Sequence, residues 1–542
     1  MRLVSASPEV AAPRAIPLAR PRSEVRAESR PGPISLFGIA TTGLVLTTVL
    51  TRIPFMTHTL YAFDSANYAL AVRDFYNVAF HQPHPPGYPL YVFVARVINL
   101  LVNDANRALI VEGILWSAVG VGCTTVLARS MFGRTVGLLS GLLLVGTVGF
   151  WGYGEVAYPY VALAGETAAL GLLAHAVLRG RRNLVLAFAV VWAISLGVRW
   201  DGAIFCLPLG LWALWAVGWR LRGLAAASAI AIVVAFAVPM IVLTGGLDVY
   251  RQAIADYLRV WSPQSAYVVG DFASGGDTQA GYNLNFLVNY LRQMLGVGLL
   301  LVLYLFGRRF APAVLAADYR SRFLAVWTVP PLLVYVFAHL GEPGYVLSLA
   351  PQAAILIALS ITDLHDETIH VIQVVRARGW HLVRWISPPV AGVTVAAALT
   401  LGILGWNVQA FARGVGPGRL PDLRAHDATT AAQVDFIEHH DVETTFVLAH
   451  DIFRQLHYYV PQYQSDLLYS EYVPDFQTTL THTLLPAGTQ DVVVLDSPLR
   501  VVPPDAAHEV VLQEQPRVSV WLVNAQGATA VEHGYQFVRL IR

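Results

Sequence analysis

The chain reads as a succession of long apolar runs separated by short polar stretches. The first run covers residues 34–50. Others occupy roughly 109–128, 134–150, 157–178, 184–198, 202–219, 223–244, 286–306, 323–340, 345–361 and 386–408. Together they predict about eleven membrane spans, several near the lower length limit for crossing a bilayer. Segment 86–102 is also apolar, but Arg96 sits in its middle and Pro86 and Pro89 at its start. An arginine at mid-membrane is costly. If 86–102 does not cross, the Arg-bearing connections 129–134, 179–183, 220–222, 308–322 and 376–384 fall on the cytoplasmic side with the Arg-rich N-terminal tail, as the positive-inside rule requires. If it crosses, the Arg excess lies outside. Segment 86–102 therefore reads as a juxtamembrane or partly inserted helix on the outer face.

That choice makes 51–108 one large first outer loop. It also puts "WGYGEVAYPY" near 151–160, "RWDG" at 199–202, the long loop 245–285 and "GEPGY" at 341–345 outside, with everything after about 409. Trp151, Trp200, Trp212, Trp219, Trp261 and Trp406 lie near run ends, as interfacial aromatics do. Residues 1–33 lack apolar periodicity and read as a disordered cytoplasmic tail. The last 130 or so residues are more polar: short β-rich runs such as "TTFVLAH", "DVVVLD" and "VSVWLVN" alternate with helix-like stretches around 428–440 and 450–458. The expected architecture is thus an α-helical polytopic membrane protein. Its transmembrane domain covers 34–408, and a small extracytoplasmic α/β domain covers 409–542 with no catalytic motif of its own.

Composition agrees. Of 542 residues, 56% are hydrophobic and only 13% charged, against about 25% charged in soluble domains. A net charge of +1 implies no nucleic-acid partner. Every basic residue is Arg. The two cysteines, Cys123 and Cys206, lie inside apolar runs, which argues against a disulfide framework or thiolate metal site. No His, Cys and carboxylate cluster has metal-ligand spacing, so no metal ligands are assigned and a divalent cation stays open.

Candidate chemistry gathers in the first loop, in "FDSANYALAVRDFYNVAFHQPHPPGYPLY" at 63–91. Ser65 to Phe80 has apolar residues at 66, 69, 70, 72 and 76 and polar ones at 67, 73, 74 and 77. It predicts an interfacial helix with Asp64 as its N-cap. In "HPPGYP", Pro85 and Pro86 fix φ and Gly87 frees it, a turn suited to aiming His84 and Tyr88 into a cleft or simply to joining two helices.

An acidic residue just after the first span, an amphipathic stretch and then "HPPGYPLY" resembles the GT-C membrane glycosyltransferases. The likeness is closest to bacterial relatives of the protein O-mannosyltransferases and of the aminoarabinose and galacturonic-acid lipid A transferases. "RSMFGR", "EVAYPY", "LGVRWDG" and "GEPGYVLSLAP" resemble the same group, and the likeness covers about 34–361. One departure stands out. Where many relatives carry Asp-Glu, this chain has Asp64-Ser65 and lacks the second carboxylate.

The resemblance implies transfer of a sugar from a polyprenyl-phosphate carrier to a lipid, glycan or protein hydroxyl. The reaction would occur at the outer face of a bacterial cytoplasmic membrane, with the N-terminus inside. Asp64 would be the general base of a single inverting displacement. The phosphate leaves as an anion, so no general acid is required, unlike glycoside hydrolysis. Arg199, at a span's outer edge, is the candidate for the phosphate, the alternative being a pair with Asp201. Arg73 (or a pair with Asp74), His84, Tyr88, Glu155, Tyr158, Glu342 and Tyr345 are candidate substrate-binding residues. Asp248, Tyr250, Arg251 and Asp256 are weaker candidates, on a loop able to cover the carrier. The rival from another class is a transporter or flippase of a lipid-linked saccharide. It would carry internal repeats and interrupted helices at the midplane, but no repeat is evident and the polar suspects cluster at one face. A polytopic scaffold without activity is the third reading.

Overall fold

The computed structural model describes residues 35–261, 279–307, 318–379, 385–468, 480–495, 500–502, 507–534 and 537–542. The expected N-terminal tail and parts of the connections 245–285, 308–322 and 376–384 lie outside these residues. Among the described residues, twelve helices lie in the first 295 positions. They are α1 (Leu36–Arg52), α2 (Phe63–Arg73), α3 (Pro89–Val102), α4 (Ala105–Phe132), α5 (Arg134–Val145), α6 (Val148–Gly152), α7 (Tyr160–Leu178), α8 (Leu184–Phe205), α9 (Leu207–Trp215), α10 (Trp219–Leu243), α11 (Leu247–Trp261) and α12 (Gln279–Leu295). Then follow α13 (Gly298–Leu305), α14 (Tyr319–Phe337), a 3-10 turn at Pro343–Leu349 that runs into α15 (Ala350–Ala377), α16 (Pro388–Arg413), α17 (Leu420–Glu438) and α18 (Phe453–Tyr459).

Among the described residues, seven helical segments are long and apolar enough to cross a membrane, or eight if α12 and α13, bent by 114° at their junction, count as one broken span. The chain is a multi-pass membrane protein, with fewer such helices than the eleven apolar runs. The differences are local. Run 134–150 divides at Gly146 into α5 and α6. Run 202–219 is not separate: its first residues finish α8, and α9 has only 9 residues.

α4, α7 and α8 form the centre. α7 and α4 approach closely because both carry glycine at the crossing: a Cβ on Gly165 would meet the Trp116 carbonyl oxygen at 2.7 Å. The most apolar window of α7 is 78% buried, whereas those of α10 and α16 are 6% and 17% buried. Apolar side chains left unburied at that density belong against lipid.

α3 is 14 residues long, about 21 Å of helix against roughly 30 Å of hydrocarbon, so it is too short to cross upright. Arg96, the residue that argued against a span, has a defined task. Its Nε and one Nη donate to the Ala71 carbonyl at 3.0 and 2.6 Å, near the end of α2.

Arg129, Arg179 and Arg320, arginines of these connections, lie at one end of the bundle. Arg129 stacks over Phe37 at the start of α1, Arg320 over Phe132 and Arg179 over Tyr319. The first loop lies at the other end.

The C-terminal region has two sheets. One has the order β2-β1-β4-β7-β6, from β1 (Thr445–Ala449), β2 (Gln464–Leu467), β4 (Asp491–Val494), β6 (Ala507–Glu514) and β7 (Arg517–Asn524). The other has the order β3-β8-β9-β5, from β3 (Leu480–Leu484), β5 (Arg500–Val502), β8 (Ala530–Gly534) and β9 (Phe537–Ile541). β1 is parallel to both neighbours and wholly buried. Because successive side chains alternate, Phe446 and Leu448 face the second sheet, while Val447 and Ala449 pack on Ile437 and Leu456 of the helices.

α17 and α18 also grip the first loop. Asp427 accepts hydrogen bonds from the amides of His58 and Thr59 and from the Thr59 hydroxyl at 2.8–2.9 Å. The Leu60 amide donates to the Tyr459 hydroxyl at 2.9 Å, and Tyr61 donates to Asp422 at 2.7 Å. The strand of chain leading into α2 is therefore held from both sides.

Candidate active site

α2 differs from the amphipathic surface helix expected over 65–80. It starts at Phe63, ends at Arg73, and Ser65 to Val72 are all buried. Asp64 is not its N-cap. Ala62 holds that position, and its amide donates to the Ser65 hydroxyl at 3.2 Å. With the cap supplied by Ser65, the Asp64 carboxylate is released to point elsewhere. Asn67, one helical turn on, donates to Oδ1 at 3.3 Å. Tyr158 donates to Oδ2 at 3.3 Å, and His84 Nε2 lies 3.3 Å from the same oxygen.

His84 reaches this place from the turn. Gly87 has φ +118°, and a Cβ there would meet the Tyr76 hydroxyl at 2.6 Å and Met240 Sδ at 2.9 Å, so only glycine fits. His84 Nδ1 lies 2.7 Å from the Pro85 carbonyl and Nε2 faces a carboxylate. The Tyr68 hydroxyl also lies 3.2 Å from Nε2, so the carboxylate, not the ring contacts alone, favours the imidazolium. Tyr257 of α11 stacks on the ring at 5.9 Å, and the Tyr250 hydroxyl donates to the Pro86 carbonyl at 3.1 Å.

Burial pushes the Asp64 carboxyl up. The His84 charge, hydrogen bonds from His84 and Asn67, and the Arg199 charge outweigh it and hold the group below its ordinary value. For His84 the balance is the mirror image. Burial pushes it down, and the charge and hydrogen bond of Asp64 and the Pro85 carbonyl raise it above its ordinary value. The result is an ionised pair, with the carboxylate side chain 32% exposed and the imidazole 10%.

Arg199 lies behind this pair. It follows the apolar run 184–198 directly, where φ −149° and ψ 101° break α8 into two helical pieces. Its guanidinium sits over Tyr160 at 4.2 Å, Tyr345 at 4.9 Å and Tyr88 at 6.0 Å. Nε is 3.0 Å from Asp201 Oδ2, an ion pair not aligned for a hydrogen bond. Three of the chosen tyrosine and arginine positions thus form one aromatic box beside Asp64.

No protein-family model matches the chain, and no curated protein is significantly similar. Solved structures do match. ArnT from Cupriavidus metallidurans, bound to undecaprenyl phosphate, superposes over 89% of this chain and 97% of its own with a TM-score of 0.51 at 15% identity. The same protein in the apo state gives 0.50 over the same shares. The archaeal oligosaccharyltransferase AglB from Archaeoglobus fulgidus, in complex with an inhibitory peptide and a dolichol-phosphate, is similar over 85% of this chain and 69% of its own, at 14% identity and a TM-score of 0.48. The fold is that of the GT-C membrane glycosyltransferases.

Within this GT-C fold, Asp64, His84, Tyr88, Tyr158, Arg199 and Tyr345 converge. Of the other expected residues, Arg73 and Glu155 lie apart, while the Glu342 charge acts on Tyr158 and Tyr160. Arg73 pairs with its neighbour Asp74 at 2.7 Å, stacks on Tyr458 and donates to that residue's carbonyl. Glu155 is fully buried, and its carboxylate has no hydrogen-bond partner among the described residues. Burial pushes it up to about 9 against the charge of Arg52. Glu342 is exposed at the start of the 3-10 turn. Among the described residues no group of three His, Cys or acidic side chains converges as a metal site would require.

Three participants escaped the sequence reading. Asn67 was legible as the i+3 neighbour of Asp64. Tyr160 and Arg454, the latter donating to Asn67 Oδ1 at 2.7 Å, have no local signal.

Proposed function

We propose that the chain transfers a sugar from a polyprenyl-phosphate carrier to a hydroxyl acceptor at the outer face of a bacterial cytoplasmic membrane, with Asp64 as general base. The observation that carries this reading is the partly exposed Asp64–His84 pair, 3.3 Å apart and backed by the Arg199 box, at the end of the bundle opposite the arginine-rich connections. In support, the ArnT structure that shares the fold contains undecaprenyl phosphate.

The chemistry follows from the charges. Asp64 is fully ionised near neutrality and therefore free to accept the proton of the attacking hydroxyl. It is a weak base, which is sufficient because that hydroxyl acidifies as its oxygen bonds to the anomeric carbon and because the phosphate leaves without protonation. Backside attack inverts the carbon. The His84 imidazolium and the Arg199 guanidinium supply the positive field that the departing phosphate needs, in surroundings where charge is poorly screened. The acceptor is a lipid, a glycan or a protein hydroxyl.

The test is mass analysis of envelope lipids, glycans and secreted glycoproteins from cells with the wild-type chain, without it, and with Asp64→Asn. A species heavier by one sugar residue, present only with the wild-type chain, is expected. Its persistence with Asp64→Asn, or its absence from wild-type cells, overturns the reading.

A further inference from the structure

We infer that Arg454, contributed by the C-terminal region, is a positioning residue for Asp64: it fixes the orientation of the Asn67 amide that donates to the carboxylate. The inference rests on the reading of Asp64 as the base. It gives the C-terminal sheets and helices a part in the reaction that their sequence does not suggest.

The geometry is a relay. Arg454 Nε donates to Asn67 Oδ1 at 2.7 Å, and Asn67 Nδ2 donates to Asp64 Oδ1 at 3.3 Å. A primary amide has one acceptor end and one donor end, and two opposite orientations fill the same space. Turned the other way, Asn67 would set its carbonyl against a carboxylate and its NH2 against a guanidinium, two contacts between groups of like character. The charge-assisted bond from Arg454 selects the other orientation. Asn67 is 1% exposed, so water offers it no substitute. Asp64 Oδ2 is already taken by Tyr158 and His84. With Oδ1 tethered as well, the plane of the carboxylate is set, and with it the direction in which a proton is accepted.

The same guanidinium reaches the other half of the pair. One Nη donates to the carbonyls of Phe80 and His81 at 3.3 and 3.2 Å, in the turn that carries His84. A single side chain thus references both α2 and the His84 turn to one rigid body. That body is anchored independently, through Asp427, Tyr459 and Asp422 on the chain leading into α2. Loss of Arg454 therefore leaves the docking of the region in place and frees only the amide and the turn.

The experiment uses the full-length protein in lipid nanodiscs and the donor and acceptor identified by the envelope analysis. Arg454→Gln and Asn67→Ala are each expected to lower kcat about tenfold or more, the scale of a small misplacement of a reacting group, with KM for the donor nearly unchanged. Arg454→Lys, which still offers a donor to Asn67, should recover part of the loss. The double variant should lose less than the product of the two single losses, because both act in part through one amide. Hydrogen exchange supplies a reading independent of activity. Arg454→Gln should raise exchange in the 77–84 turn while β1 and β4 keep wild-type protection. Wild-type kcat in Arg454→Gln, or multiplying losses in the double variant, overturns the inference while an inactive Asp64→Asn leaves the base assignment standing. An active Asp64→Asn removes both.

Discussion

Asp64 beside His84 and Glu155 within the field of Arg52 are both acids near a cation at the foot of the first loop, and the protein treats them in opposite ways. Asp64 has three polar contacts at about hydrogen-bond length and a side chain one-third exposed, and it is held ionised. Glu155 is fully buried with no hydrogen bond to its carboxylate among the described residues, and its carboxyl is pushed up to about 9. Its backbone does the visible work, accepting from the Thr57 amide at 3.0 Å and tying the first loop to the chain before α7. Arg52 spends its donors on the Val145 carbonyl and the Thr51 hydroxyl. A charge at a distance does not keep a buried acid ionised; a cation in contact, helped by donors aimed at its oxygens, does. This is why one of two similar-looking acids suits a base and the other suits a neutral strut.

The comparison breaks most easily at Asp64. Asp64→Asn keeps the shape and the contacts to Asn67 and Tyr158 but cannot take a proton. Transfer should fall by about 10²-fold or more, with insertion and folding unchanged in a detergent melting assay.

Next in size is the cation behind the pair. Arg199→Ala leaves Asp201 buried without its counter-ion and empties the box between Tyr160 and Tyr345. A loss of about 3–5 kcal/mol is expected, read as a lower Tm. Arg199→Lys keeps the charge and should lose less, because only the planar stacking is gone.

The ionised pair also predicts a pH signature. Asp64 is depressed in the folded protein, so its contribution is present above its unfolded value, about 3.9, and is lost as pH falls through the folded value. His84 is raised, so its contribution is complete below its unfolded value, about 6.5, and is lost as pH rises through the folded value. Tm should therefore hold a plateau between these limits and decline on the alkaline side, and His84→Gln should flatten that decline. A wild-type Tm that climbs steadily through this range would contradict the pair.

The smallest effect is expected at Glu155. A carboxyl already protonated near neutrality is closely mimicked by an amide. Glu155→Gln should change stability by less than about 1 kcal/mol and leave transfer at the wild-type rate. A loss comparable to that of Asp64→Asn would mean that Glu155 works ionised and that the contrast between the two acids is wrong.

Much of this was legible from the chain alone, for a physical reason. Whether a segment sits in lipid depends on its own length and apolarity, so residues 109–128 or 223–244 announce themselves. Asp64, His84, Tyr158 and Arg199 stood out because polar groups at the edges of apolar runs are expensive and few. Reading went astray where neighbours decide. α2 looked amphipathic by spacing but Ser65 to Val72 are buried, because α3, α4 and α18 close over it. Asp64 looked like a cap until Ser65 took that duty.

What the sequence by itself determined is the membrane class, several of the spans and the shortlist of charged residues, since each depends on local composition. Only the tertiary structure decided which of them meet. Arg454 and Asn67 are separated by 387 positions and Tyr158 and Asp64 by 94. No periodicity carries over such distances. Contacts of that range, and the protonation states they impose, exist only once the whole chain has packed.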